Sequence, residues 1–240
     1  MRGTTKLILD IVMGAIVPLL ILNTLTRIVG APVAYVWAAL VPVAYILLDT
    51  FLLSRRFNAI TTYVALSAIA QGALAFWFVD GWRYALKDTA GVILGALLFF
   101  GSLALRKPMM RLFAEQVFQP DSPAKAQALQ RLFAHPSVWR TLLLTTAILG
   151  VQNVLLGAFN FVLNLSLVTA PFGSEQFNFQ VGQVNAITRV VFVVLNFAAF
   201  AGVFYLLYRS IFSVLPSEEG KSPFESDFWV LMERGGLLKT

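Results

Sequence analysis

The sequence predicts an all-α fold, a polytopic transmembrane bundle of six helices, and three observations predict it. Hydrophobic residues make up 58% of the 240-residue chain and charged ones only 12%, where about 25% charged is usual for a soluble domain. Mean hydropathy is +0.77. Six apolar runs lie between Lys6 and Arg209, each reaching the roughly 20 residues that an α-helix needs to cross the hydrocarbon. Backbone groups in lipid must be bonded within their own segment, and these runs are about twice the length of barrel strands, so helices are expected.

The first run, 7–26, follows Arg2 and Lys6. It carries Asp10, exceeds the core of a cleaved signal and lacks a small-x-small site, Gly30-Ala31 being followed by Pro32, so it is expected to remain as an anchor. The second (33–53), third (59–79) and fourth (86–105) runs are punctuated by Arg55-Arg56, Asp80-Gly81 and Arg106-Lys107-Pro108. Connections this short force antiparallel neighbours. The fifth, 139–168, is long enough to tilt or protrude and ends before Ala170-Pro171-Phe172-Gly173; the sixth is 187–208. Residues 1–208 are thus read as the transmembrane domain.

Two segments outside the spans carry amphipathic patterns. In the linker 106–138, Met109, Leu112, Phe113 and Val117 gather near one face, and Ser122-Pro123 opens a second helix through Ala128, Leu129, Leu132 and Phe133 that stops before Pro136. In the tail 209–240, Ser222 and Glu225 form a capping box ahead of Phe228, Leu231 and Met232, with Gly235-Gly236 as the stop, predicting a helix over 224–233. Such aromatic-rich helices are expected to lie in the headgroup layer, with partner docking as the alternative.

Orientation follows from the basic residues. With the N-terminus inside, fourteen of the 18 lysines and arginines fall on the cytoplasmic side; only Arg27, Arg83, Lys87 and Arg189 fall outside. The positive-inside rule then predicts a multi-pass protein with both termini cytoplasmic. The net charge of +6 is read as basic loops against anionic lipid headgroups, and nucleic-acid binding is discounted.

The chain has no cysteine and one histidine, His135, which excludes disulfides and thiolate sites and leaves the ligand sets of zinc, haem or di-iron centres incomplete. No cofactor or metal is expected. No G-x-S-x-G, Walker A or H-E-x-x-H pattern is present, so the chain is read as non-enzymatic.

Chemistry can then come only from polar groups within the spans, which must face other helices or a water-filled cavity. Gln71 lies on the third run, Gln152, Asn153, Asn160 and Asn164 on the fifth and Asn196 on the sixth. The four on the fifth are expected to form one stripe facing the bundle, either as interhelical hydrogen bonds or as a polar path. Lys87, Asp88 and Arg189 form a candidate ionic site near the outer face, with Asp88 favoured by a helix start and the two cations either snorkelling or clamped in ion pairs. Asp10, Asp49, Arg55 and Arg56 form a candidate cluster near the inner face.

Several local features carry a resemblance: Leu9-Asp10 opening the first run, Lys87 ahead of the fourth, the Arg106-Lys107-Pro108 exit, the Pro136-Ser137-Val138-Trp139 entry to the fifth, and Phe177-Asn178-Phe179 before the sixth. In these the chain, over residues 7–208, resembles the bacterial inner-membrane-spanning family called intracellular septation protein A and its relatives. The resemblance implies a place in the cell inner membrane and a role in cell-envelope biogenesis or septation through contacts with other envelope membrane proteins, with homo-oligomers compatible and no catalytic residues to carry over. The chain departs from that pattern in a longer linker (108–136), a longer outer segment (170–186) and a tail beyond 209, where partner contacts are expected. The rival reading is a small transporter or lipid-handling protein with a polar path inside the bundle.

Overall fold

The computed structural model describes residues 12–48, 73–118, 120–216 and 226–238. Among them every regular element is helical. Asp10, Asp49, Arg55, Arg56 and Gln71, most of the third run and the Ser222/Glu225 capping box lie outside the described residues.

The first run is helical but irregular: π-turns over Val12–Ile16 and Ile21–Leu25 alternate with short α-helices α1 (Val17–Leu20) and α2 (Thr26–Val29). Pro18, in the first turn of α1, has no N–H to donate to the helix ladder. Thr24 and Thr26 donate their hydroxyls to the carbonyls of Leu20 and Leu22, both at 2.6 Å. Gly30, at φ 85°, closes the segment in a conformation that side chains disfavour. Helix α3 (Ala31–Leu48) follows at once.

Three helices are long and apolar enough to cross a membrane: α4 (Gly81–Ala104), α7 (Pro136–Leu167) and α8 (Glu175–Phe212). Two of their starts differ from the sequence expectation. Helix α4 begins at Gly81, not near 86, and α8 begins at Glu175, not near 187. The segment 170–186 is therefore mostly helix. Ser174 accepts a hydrogen bond from the Phe177 amide at 3.1 Å, Glu175 occupies the first turn, and Phe177, Val181 and Val184 bury one face at helical spacing. At its other end α4 stops in a Schellman turn. Lys107 N–H donates to the Ser102 carbonyl at 2.8 Å and Arg106 N–H to that of Leu103 at 3.0 Å, with Arg106 at φ 54°.

The described residues divide into two compact units, to both of which α4, α7 and α8 contribute. One comprises residues up to Gly95 together with Asn153–Leu195. Its core gathers Leu22, Tyr35, Tyr84, Phe177, Val181 and Val184, with the Tyr84 and Phe177 rings meeting edge to face at 5.0 Å.

The other comprises Ala96–Gln152 and the residues from Asn196 onward. Here the three short helices α5 (Met109–Phe118), α6 (Pro123–Ala134) and α9 (Phe228–Arg234) turn their apolar faces into a shared core. Met110, Ala128, Leu129, Leu132, Phe133, Leu231 and Met232 are all buried there with Leu142, Leu207 and Ile211 of the long helices. The apolar faces of α6 and α9 are thus covered by protein within this unit. Phe113 lies edge to face with Phe99 at 6.3 Å, and Phe118 stacks on Phe228 at 4.1 Å.

The caps explain the boundaries of these helices. Ser122 accepts from Lys125 N–H, as expected for α6. Helix α9 starts later than 224: Asp227 accepts from the Trp229 and Val230 amides and is its N-cap. The start of α5 is held from two sides, Met109 N–H donating to Ser102 Oγ of α4 and Met110 N–H to Thr146 Oγ1 of α7. Gly150 lets α7 approach Phe100; a Cβ there would sit 3.1 Å from the ring.

Candidate buried polar site

Because α4 starts at Gly81, Asp88 lies two turns inside the helix, beyond the first-turn amides whose dipole would favour a carboxylate. Its partners come instead from α7. Asn160 Nδ2 and Asn164 Nδ2 both donate to Asp88 Oδ2, at 3.0 and 2.9 Å. Asn160 also donates to Thr89 Oγ1 at 3.3 Å, and Asn164 to the Asn160 carbonyl at 2.9 Å. The two asparagines are one turn apart on the same face and are 3% and 1% exposed. Gly157, a turn earlier, brings α7 against Thr89 and Val92 and makes room for this clasp.

Lys87 is 7% exposed. Its ammonium donates to the Trp77 carbonyl at 2.7 Å and lies 4.6 Å from the centre of the Tyr35 ring and 5.8 Å from that of Tyr84. It makes no ion pair among the described residues, so neither snorkelling nor an ion-pair clamp describes it. Two aromatic faces and a carbonyl replace its hydration. Arg189 on α8 is partly buried and interacts electrostatically with Asp88. Asp80 is engaged elsewhere, accepting from the Phe172 amide at 3.3 Å.

The expected single stripe on α7 divides in two. At 100° per residue Asn153, Asn160 and Asn164 fall within about 40° of one another, whereas Gln152 is rotated by about 100° from Asn153. Gln152 accordingly pairs with α8, donating to Asn196 Oδ1 at 2.9 Å. Asn153 is partly buried. Among the described residues, the side-chain oxygens of Gln152, Asn164 and Asn178 are buried without a hydrogen-bond partner.

Asn178 was not singled out by chemistry in the sequence, because 170–186 reads there as a connecting segment. It is 1% exposed and holds the end of the first run to α8, donating to Thr26 Oγ1 at 2.9 Å and to the Ala31 carbonyl at 3.0 Å. Gln180, partly buried, closes α7 by accepting from the Thr169 and Ala170 amides at 3.1 and 2.9 Å. The residues around Lys87 were missed as well, since Tyr35 and Tyr84 carry no local signal of a cation site.

Chemically, the arrangement offers a carboxylate held by two amides and a desolvated ammonium. Among the described residues no group of three histidine, cysteine or acidic side chains could hold a metal ion. His135 is exposed, with its ring nitrogen 2.9 Å from Ser137 Oγ. No family model, curated protein or solved structure matches the chain.

Proposed function

We propose that this chain is a non-enzymatic, multi-pass membrane protein that supports envelope assembly or septation through contacts with membrane partners, as its resemblance to the septation protein A family implies. The proposal includes six spans and both termini in the cytoplasm of a bacterial inner membrane. The observation that carries the scaffold reading is the use made of the polar side chains. The amide donors of Asn160 and Asn164 are directed to Asp88, those of Gln152 to Asn196, and those of Asn178 to Thr26 and Ala31. Amides used in this way fasten helices together and contribute about 0.6 kcal/mol each on average.

Two measurements test the reading. Single cysteines at Gly81 and Ser174 should react with an impermeant maleimide added outside intact cells, and cysteines at Ser122 and Ser226 only after lysis; the reverse pattern ends the six-span topology. Proteoliposomes should show no saturable uptake across a panel of amino acids, phosphate and sugars. Uptake that disappears in Asn160→Leu with the fold intact would move the assignment to the rival, a small transporter. One observation favours that rival: Asp88 is ionisable and sits inside a helix long enough to span, and such residues often mark ion or substrate paths.

A further inference from the structure

A cavity of about 360 Å³ opens beside the end of the first run, between it and the first turn of α8. Its lining combines apolar Leu22 and Phe179 with polar side chains, Asn23 and Arg27 from the first run and Glu175 and Gln176 from α8. Asn23 and Arg27 are one turn apart on the first run, so their side chains share a face. The first run is tied to α8 by the bond from buried Asn178 to Thr26, which also lines the cavity.

The two charges across this cavity do not neutralise each other: neither Arg27 nor Glu175 makes an ion pair among the described residues. Each sits at the helix end that favours it, Arg27 in the last turn of α2 and Glu175 in the first turn of α8. Both are therefore stable unpaired and open to a ligand carrying the opposite charges. The two carboxamides add acceptors and donors to the same lining.

The depth of the cavity is marked independently. Phe177, next to Gln176, packs on Tyr84 and Phe172, and Trp77, Phe78 and Trp82 are exposed close by in sequence to Tyr84. Clusters of this kind sit at the membrane–water interface. Glu175 and Gln176 thus belong at headgroup level.

We infer that this cavity binds a primary-ammonium–phosphate zwitterion, the phosphoethanolamine group, with the phosphate on Arg27 and Asn23 and the ammonium on Glu175 and Gln176. A carboxylate with amide acceptors matches an ammonium that has N–H bonds to donate. It discriminates against choline, which has none and is recognised by aromatic cages. The same group is available as a lipid headgroup or as a free phosphodiester, and the apolar Leu22 and Phe179 in the lining suit the lipid.

The test uses the full chain in nanodiscs of equal parts phosphatidylethanolamine, phosphatidylcholine and phosphatidylglycerol, with retained lipid measured by native mass spectrometry after mild extraction. Retention of phosphatidylethanolamine should exceed that of phosphatidylcholine about tenfold, equivalent to one charge-assisted contact. Glu175→Gln should bring the ratio near one, and Arg27→Gln, which removes the contact to the phosphate both lipids share, should lower retention of both. Both side chains are exposed, so the variants should keep the wild-type melting temperature; Asn23→Leu provides a third variant in the same lining. Soluble glycerophosphoethanolamine is titrated in parallel. Binding of it that is lost in Arg27→Gln assigns the site to a free solute, and headgroup retention without it assigns the site to lipid. Equal retention of the two zwitterionic lipids with no soluble binding, or selectivity that survives every one of these substitutions, overturns the inference.

Discussion

Phe133→Ala is expected to lower stability by about 3–5 kcal/mol, the usual range for deleting a fully buried aromatic ring. Phe133 is 1% exposed, and its neighbours on the same face of α6, Ala128, Leu129 and Leu132, are equally buried. A helix of 12 residues is marginal on its own in water, so packing against α5, α9 and the long helices holds it. Removing the ring leaves a cavity at the centre of that contact. Trypsin cleavage at Lys125 and Arg131 should then accelerate more than tenfold in detergent, since about 1.4 kcal/mol of local stability is already a factor of ten in the open population. Leu112→Ala, at a 38% exposed position, should change the rate little. If the face of α6 rested on lipid instead, wild type and variant would be cut at similar rates in detergent and would differ only in bilayers.

What the sequence disclosed about the fold was apolar length, and this located α4, α7 and α8. It misplaced their ends wherever helix and hydrophobicity part company. From Glu175 to Asn185, α8 alternates Gln176, Gln180 and Gln183 with the buried Phe177, Val181 and Val184, so its average hydropathy falls although its helical periodicity persists. The same kind of error hid the candidate site. Placed at a helix start, Asp88 needed no partner; placed two turns in, it needs the amides of Asn160 and Asn164. The shared face of those two asparagines was readable from their spacing of four, but not the helix they address. The surroundings of Lys87 were not readable at all, because Tyr35 reaches it from 52 positions earlier in the chain. Contacts of that separation are set by tertiary packing and leave no local pattern. The short helices were legible in their amphipathic faces, but what covers such a face was not, because a face suited to lipid is equally suited to a neighbouring helix.

Asp88→Leu is expected to cost about 2–4 kcal/mol. It removes the acceptor of two interhelical hydrogen bonds, each about 0.6 and at most about 1.7 kcal/mol within a membrane, and it leaves two buried amide donors that cost about 1–3 kcal/mol apiece where they find no substitute. For a chain of this length about 1 kcal/mol moves a melting midpoint by 2–4 °C, so a fall of about 5–15 °C in detergent should be seen by fluorescence-detected size exclusion. Asp88→Asn retains one carbonyl oxygen in nearly the same place and should fall by only about 2–4 °C, roughly 1 kcal/mol. A double-mutant cycle with Asn164→Leu then isolates the pair: if the clasp is structural, the double variant loses much less than the sum of the single ones, because each single change leaves the other's partner stranded. The conservative variant is also the sharpest separator of the two functional readings. A scaffold that tolerates Asp88→Asn thermally should tolerate it in the cell. A carrier that needs an ionisable group at this depth would keep its melting temperature and lose saturable uptake, because an amide reproduces the hydrogen bonds of a carboxylate oxygen but cannot exchange a proton or balance a bound cation.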